Sequence, residues 1–414
     1  MSEVIEKATR AKAAAFELRK LSAVQKQNLL HAMGETLLTH TAEIIAANAL
    51  DLERGKAAGM SVSLQDRLRL DAPRILGMAQ GLRAVADLPD PASEVFPEIV
   101  RPNGLRIQKV AVPMGVIGMI YEARPNVTAD AAGLCLKSGS AVVLRGGSDA
   151  LESNKAIVKA LRAAISQTVS ADVLQLIESP DRALAQELMT ANGLIDLLIP
   201  RGGAGLIQRV LQEATIPVIE TGVGNCHVYV DAAADLTKAL EIVINAKTQR
   251  PSVCNAAESL LVHVKIADAF LPQMLARFKQ AGVVVHGCAR TQKYDAAMAL
   301  ATDVDYATEY SALEISIKVV DSLEEAITHI NTFGTKHTEV ILSEDKKAQE
   351  QFARDIDAAA VIINASTRFT DGGEFGFGCE IGISTQKLHA RGPMGLKEMM
   401  TYKYIVRGEG QIRQ

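Results

Sequence analysis

The chain has 414 residues, 48% hydrophobic and 22% charged, with a formal net charge of -4. That length supports two or more domains with large cores, and the composition is ordinary for a globular protein. The absence of tryptophan and of any long basic block, with 4% aromatic residues, argues against nucleic acid or an anionic membrane as a partner.

Residues 2–89 are predicted helical. Glu3, Glu6, Lys7, Arg10 and Lys12 make the N-terminus a charged helix rather than a signal peptide. No apolar run approaches the roughly 20 residues of a membrane span, and the odd, widely scattered set of five cysteines reads as reduced thiols in a cytoplasm. Ser22 and Gln25 have capping-box spacing ahead of the stripe Leu29, Leu30, Met33, Leu37, Leu38. A third helix is predicted from Leu64 to Asp87, continuous past Pro73. Leu105–Val112 alternates like a strand with one exposed face, and with Glu94–Val100 it forms a predicted two-stranded arm. An exposed arm needs a partner edge. Together with a strand-like C-terminal Thr401–Val406, it predicts a homo-oligomer.

From Gly115 the pattern changes to short Val/Ile/Leu runs alternating with helices, as in parallel sheets covered on both faces. Strands are predicted at 115–121, 141–144, 173–177, 195–199 and 217–220. A second series has strands at 228–230, 260–264, 283–286, 315–320, 339–342 and 360–363. The predicted fold class is therefore α/β: two doubly wound α/β domains plus a small β arm. The predicted boundaries are 1–224, with the arm near 94–112, then 225–366, then a glycine-rich return segment 367–414.

Several constellations sit at the ends of these elements. Gln249-Arg250-Pro251-Ser252-Val253-Cys254-Asn255 follows a predicted helix and precedes a predicted strand. Pro251 stops the helix, so the thiol is offered on a turn, as a nucleophile requires; the alternative is a small buried apolar side chain. Cys226 is the second candidate nucleophile, although its position at a strand start favours packing. The five cysteines, at 135, 226, 254, 288 and 379, form no CxxC pair and no zinc spacing, so no metal is expected.

Pro200-Arg201-Gly202-Gly203-Ala204-Gly205 lies between a strand and a helix, as a phosphate-binding loop or as a plain turn. It is not GxGxxG. Leu144-Arg145-Gly146-Gly147-Ser148 offers a cation and a hydroxyl without a carboxylate, which suits a ribose 2′-phosphate; a solvated arginine is the alternative. In Tyr121-Glu122-Ala123-Arg124-Pro125-Asn126, the Asn126 amide is either an oxyanion donor or a helix cap. Glu220, at a strand end beside Gly222 and Gly224, is a general base or a structural acceptor.

These pieces, in this order, resemble the aldehyde dehydrogenase superfamily over residues 105–405. The residues that carry the resemblance are YEARPNVTADAA (121–132), VLRGGSDA (143–150), PRGGAGLI (200–207), VIETGVGNCHVYVD (218–231), QRPSVCNAAE (249–258), IINASTRF (362–369) and FGFGCEIGISTQKLHARGPMGL (375–396). Within the superfamily the match is close to the branch that reduces L-glutamyl 5-phosphate to L-glutamate 5-semialdehyde, the second step of proline biosynthesis.

The resemblance implies roles. Residues 1–224 become an NADP(H)-binding domain and 225–366 a thiol domain, with 367–414 carrying a substrate loop and an oligomerisation strand. Cys254 is the nucleophile that forms a thioester, and Asn126 with the Cys254 N–H is the oxyanion hole. Arg145, Gly146 and Ser148 surround the adenine ribose, and Ser148, where relatives that use NAD often carry glutamate, favours NADPH/NADP+. Gly202 and Gly203 line the pyrophosphate. Glu309 holds the nicotinamide ribose, and Glu220 matches the water-activating base of hydrolytic relatives. Arg124, Arg250, Arg368, Lys387, His389 and Arg391 are candidates for the substrate's anionic groups. Coupling to glutamate 5-kinase, the source of the labile substrate, stays open.

The nearest rival is an NAD(P)-dependent semialdehyde dehydrogenase that deacylates with water through Glu220. A thiol hydrolase or acyltransferase without nicotinamide, or a non-catalytic scaffold, completes the alternatives. Neither accounts for both cofactor loops.

Overall fold

The structure, a computed structural model, describes residues 1–122 and 124–413. The chain divides into two units. One holds residues 1–221, 376–382 and 394–414; the other holds 222–375 and 383–393. The division falls at Thr221/Gly222, and the segment from Thr367 builds no unit of its own but is shared between the two. Among the described residues no helix is long and apolar enough to cross a membrane.

The first unit opens with five helices, Glu3–Leu18, Ala23–Thr39, Thr41–Ala57, Val62–Leu68 and Ala72–Asp87. The capping box forms: Ser22 Oγ accepts from Gln25 N, and Gln25 Oε1 accepts from Ser22 N at 2.9 Å. The continuous helix expected over Leu64–Asp87 does not. The chain is extended at Arg69, and the Asp71 carboxylate caps a new helix by accepting from Arg74 N at 2.9 Å. Pro73 falls in the first turn of that helix, where its missing N–H has no partner to lose. It starts a helix rather than interrupting one.

Four parallel strands follow in the order Leu174–Leu176, Ala141–Gly146, Val116–Tyr121, Leu197–Arg201. In chain order this is 3-2-1-4, the half-sheet of a dinucleotide-binding fold. Ligands of such sheets sit at the carboxyl ends of the two strands where the order reverses, here Tyr121 and Arg201. The strand expected at 217–220 reduces to one bridge between Leu198 and Val218. Pro217 carries no N–H, so pairing stops at Leu198 N to Pro217 O and Ile219 N to Leu198 O.

The predicted arm is a three-stranded antiparallel sheet, Ile99–Val100, Arg106–Pro113 and Met400–Arg407. The C-terminal strand thus pairs with its own chain over its whole length, from Met400 on Pro113 to Arg407 on Arg106. Its other edge lies at the margin of the sheet, and Tyr402, Tyr404 and Val406 stay more than half exposed.

The second unit is built on seven parallel strands in the order Ala299–Leu300, Val284–Gly287, Glu314–Val320, Ala257–His263, Cys226–Val230, Thr338–Leu342, Ala360–Ile363. Helices Leu236–Thr248 and Val264–Gln280 pack into one core cluster with these strands. Leu323–Phe333 and Lys346–Asp355 pack into the other. A sheet covered on both faces explains why its strands read as unbroken apolar runs rather than alternating ones.

Candidate active site

The second unit carries the thiol. Helix Leu236–Thr248 ends just ahead of Pro251, strand Ala257–His263 begins after Ala256, and Cys254 sits half-buried in the turn between. The turn is fixed by Ala256 N donating to Val253 O (3.0 Å) and by Asn255 Nδ2 donating to Thr370 O (2.9 Å). Gly224 is what lets the turn lie where it does. A Cβ there would fall 1.6 Å from the Cys254 carbonyl oxygen, an impossible approach. Cys226 is fully buried, and burial raises its pKa well above the ordinary thiol range. Its Sγ donates to Cys254 O at 3.2 Å, so it supports the turn rather than competing as nucleophile.

One of the six candidate cations, Arg368, shares the electrostatic field of the thiol, and Arg250 acts on Arg368. Arg368 lies in the short 3-10 turn Thr367–Phe369, with Nε donating to Gln249 Oε1 at 2.8 Å. Burial lowers its pKa, with repulsion from Arg250 adding to the effect and the Cys254 charge opposing it. A thiolate at Cys254 therefore forms in the field of Arg368. Lys387 and Arg391 instead converge on Asp357, at 3.1 and 2.7 Å, and hold its carboxyl down at about 2. His389 is exposed, and Arg124, in the first unit, is half-buried. Ala123, in the same motif as Arg124, lies outside the described residues.

Beneath the thiol turn lies a pair that the sequence reading missed. Lys247 Nζ meets Glu258 Oε2 at 2.6 Å, both side chains fully buried. Burial pushes the Glu258 carboxyl up to about 7 against the pull of Lys247. Glu258 Oε1 also accepts from Ser311 N (3.2 Å), and half-buried Glu309 raises the Glu258 pKa further. The loop carrying Glu309 is thus tied to the strand that follows the thiol. Part of the signal was present: Glu258 stands at the start of the apolar strand Ala257–His263, and a carboxyl buried there must be paired or neutral.

The cofactor candidates are in the first unit. Arg145 is buried at the end of its strand, donating to Gly146 O and Pro180 O (both 3.1 Å), while its Nε has no partner. Burial lowers its pKa, with Arg182 and Arg209 adding to the effect by repulsion. Arg54 donates to the Ser148 carbonyl at 3.4 Å. Arg54, Arg182 and Arg209, from three separate helices, therefore gather at Arg145 and Ser148, with Asp181 opposing them at Arg145. Only Arg145 stood out in the sequence, because each of the others is a lone cation on a helix.

At the glycine loop, expected to be either a phosphate-binding loop or a plain turn, the Gly203 N–H donates to Glu122 Oε2 at 2.8 Å. A Cβ at Gly202 would lie 2.6 Å from that same carboxylate oxygen. The Glu122 N–H in turn donates to Arg201 O at 3.0 Å. Asn126 does not cap its helix. It is the first residue of Asn126–Ser138, Pro125 stands at the cap without a side-chain bond, and Asn126 Nδ2 donates to Asp130 Oδ2 at 3.1 Å. Glu220 is half-buried, and burial raises its carboxyl pKa.

The family model described as "Aldehyde dehydrogenase family" matches residues 1–299. A γ-glutamyl phosphate reductase of Moorella thermoacetica is 57% identical over 413 residues, covering 100% of this chain and 99% of its own. That of Heliobacterium modesticaldum is 55% identical, with the same coverage. Among solved structures, the γ-glutamyl phosphate reductase of Thermotoga maritima superimposes with a TM-score of 0.97 at 50% identity, covering 100% of both chains. An acetylating aldehyde dehydrogenase of Geobacillus thermoglucosidasius shares the fold alone, with a TM-score of 0.72 at 18% identity.

Proposed function

The chain belongs to the aldehyde dehydrogenase family and, within it, to the γ-glutamyl phosphate reductases, the oxidoreductases of the reductive step of proline biosynthesis; on that premise we propose how its residues carry the step. Cys254, as thiolate, attacks the γ-acyl carbon of L-glutamyl 5-phosphate. The C–O bond to phosphate breaks, inorganic phosphate leaves, and a γ-glutamyl thioester remains on Sγ. Arg250 and Arg368 favour the thiolate and attract the acyl phosphate. Asn126 and the Cys254 N–H stabilise the oxyanion of each tetrahedral species. The nicotinamide cofactor of the family supplies, when bound, the hydride that takes the thioester to the aldehyde level. Collapse of the thiohemiacetal then expels the Cys254 sulfur and frees L-glutamate 5-semialdehyde.

The observation that carries this reading is the thiol turn itself. A half-buried cysteine, locked by Gly224 and by Asn255, shares its field with Arg368. NADPH is the form that fits the first unit. The orphan Nε of Arg145, with Arg54, Arg182 and Arg209 around the Ser148 loop, suits one more phosphate than NADH carries. Gly202 and Gly203 would hold the pyrophosphate, with the Gly203 N–H that now binds Glu122 as a donor, and Glu309 would serve the nicotinamide ribose. Lys387, His389, Arg391 and Arg124 remain candidates for the α-carboxylate. Glu220 is structural, or is held away from water by the bound cofactor, since water activated at the thioester would waste the substrate.

The exposed apolar edge of Met400–Arg407 supports a homo-oligomer built through that sheet. Location in the cytoplasm and coupling to glutamate 5-kinase belong to the same proposal. The test is to supply the semialdehyde and NADP+ without phosphate and quench in acid. Mass spectrometry then finds a glutamyl adduct on Cys254 that phosphate discharges. No adduct in the wild type, or the same adduct in Cys254→Ser, would remove Cys254 from the role.

A further inference from the structure

Asn126 can serve an oxyanion only if it presents nitrogen. A side-chain amide is nearly symmetric in shape, and turning it over would offer a carbonyl oxygen to a negative charge. One turn along the same helix, Asp130 Oδ2 accepts from Asn126 Nδ2 at 3.1 Å. A carboxylate is acceptor-only, so it can bind the NH2 end of the amide and not the carbonyl end. One N–H is then committed to Asp130, and the second is left for the substrate oxygen.

We propose that Asp130 is a positioning residue for the reductase reaction: its ionised carboxylate sets the amide of Asn126 nitrogen-first toward the developing oxyanion. This rests on the oxyanion role given to Asn126 above.

The surroundings of Asp130 make the contact conditional on pH. Its carboxyl is pushed up to about 6, chiefly by burial, while the Asn126 hydrogen bond and the charge of Arg201 pull it down. Arg201, at the end of strand Leu197–Arg201, is the cation that faces it. The Cys379 thiol also lies in its field, raised above the ordinary range by burial and by Asp130 and Glu380, and so neutral near pH 7. Helix Ala72–Asp87 meets it at Gly81, whose Cβ position is 3.8 Å from Oδ1 and brings no charge. Below about pH 6 the protonated group has an O–H to donate and can hold either end of Asn126. The sign follows: the active form is the ionised one, so kcat rises with pH through that region.

The experiment measures kcat and KM from pH 5 to 8 for the wild type, Asp130→Asn, Asp130→Glu, Asn126→Ala and the double variant Asn126→Ala/Asp130→Asn. Asn126→Ala is expected to lose roughly 100-fold or more in kcat, as for loss of one oxyanion donor. Asp130→Asn is expected to lose roughly 10-fold in kcat, with KM changed less than about 3-fold, because an amide partner leaves both orientations open. It also loses the ionisation near pH 6, which Asp130→Glu retains. In the double variant the second substitution is expected to add nothing, since both act on one interaction. An equal kcat loss from Asp130→Asn with and without Asn126 would overturn the proposal, and so would a wild-type profile flat between pH 5 and 7. If Asn126→Ala keeps its kcat, the oxyanion reading itself falls. Should Asp130→Asn not fold, the wild-type profile and Asp130→Glu decide alone.

Discussion

Gly224 and Cys254 are thirty positions apart in the chain and touch backbone to side-chain position. The Cβ of Gly224→Ala would overlap the Cys254 carbonyl, so the thiol turn must move. A displacement near 1 Å at a reacting group costs on the order of 100-fold, and that is the expected loss of kcat/KM for Gly224→Ala by NADPH assay. Retained activity would mean that the turn is not held by this contact. Glu220→Gln belongs at the same scale: reductase activity is expected within about 3-fold of wild type, since removing a structural acceptor that makes no transition-state contact changes kcat little. A loss like that of Cys254→Ala would make Glu220 a catalytic group. Cys254, Arg250 and Arg368 were legible because they stand in punctuated loops, where Pro, Gly and a reactive group coincide. Arg54, Arg182, Arg209 and Asp130 were not. Each is an ordinary helix residue whose meaning comes only from what the fold sets against it.

Elements were legible where periodicity was long and failed where one residue decided. The strands of both parallel sheets were found where burial on both faces leaves unbroken apolar runs; the exposed two-residue edge strand Ala299–Leu300 has no such run and was missed. The helix break at Leu70 was missed because Pro73 was read as lying inside one continuous helix, when Asp71 two positions earlier makes it part of a helix start. The strand at 217–220 failed for the converse reason, a proline without an N–H to pair. The glycine loop was found as an element, but its occupant was not, because Glu122 lies eighty residues away on another strand end. Glu122 competes with phosphate for the Gly203 N–H. Glu122→Ala is therefore expected to tighten NADPH binding by up to roughly 10-fold, the order of one hydrogen-bonded competitor removed. Fluorescence titration reads it, and weaker binding would show that Glu122 holds the cofactor rather than excluding it.

At the scale of the whole molecule, the arm was legible as strands but not in its pairing. An edge needs a partner, and Met400–Arg407 supplies one edge from the same chain while leaving the other open. Tyr402, Tyr404 and Val406 on that strand are expected to be covered by a second copy. A Tyr402→Asp/Tyr404→Asp variant should elute as a smaller species by light scattering, and an unchanged mass would move the interface elsewhere.

The claim on which the rest depends is that phosphate, not water, is what the thioester exchanges with. The direct measurement runs the reaction in reverse, with L-glutamate 5-semialdehyde and NADP+, following NADPH with and without inorganic phosphate. Sustained NADPH formation only with phosphate is the predicted result. Equal turnover without phosphate would contradict the account and make Glu220 the base of a hydrolytic dehydrogenase.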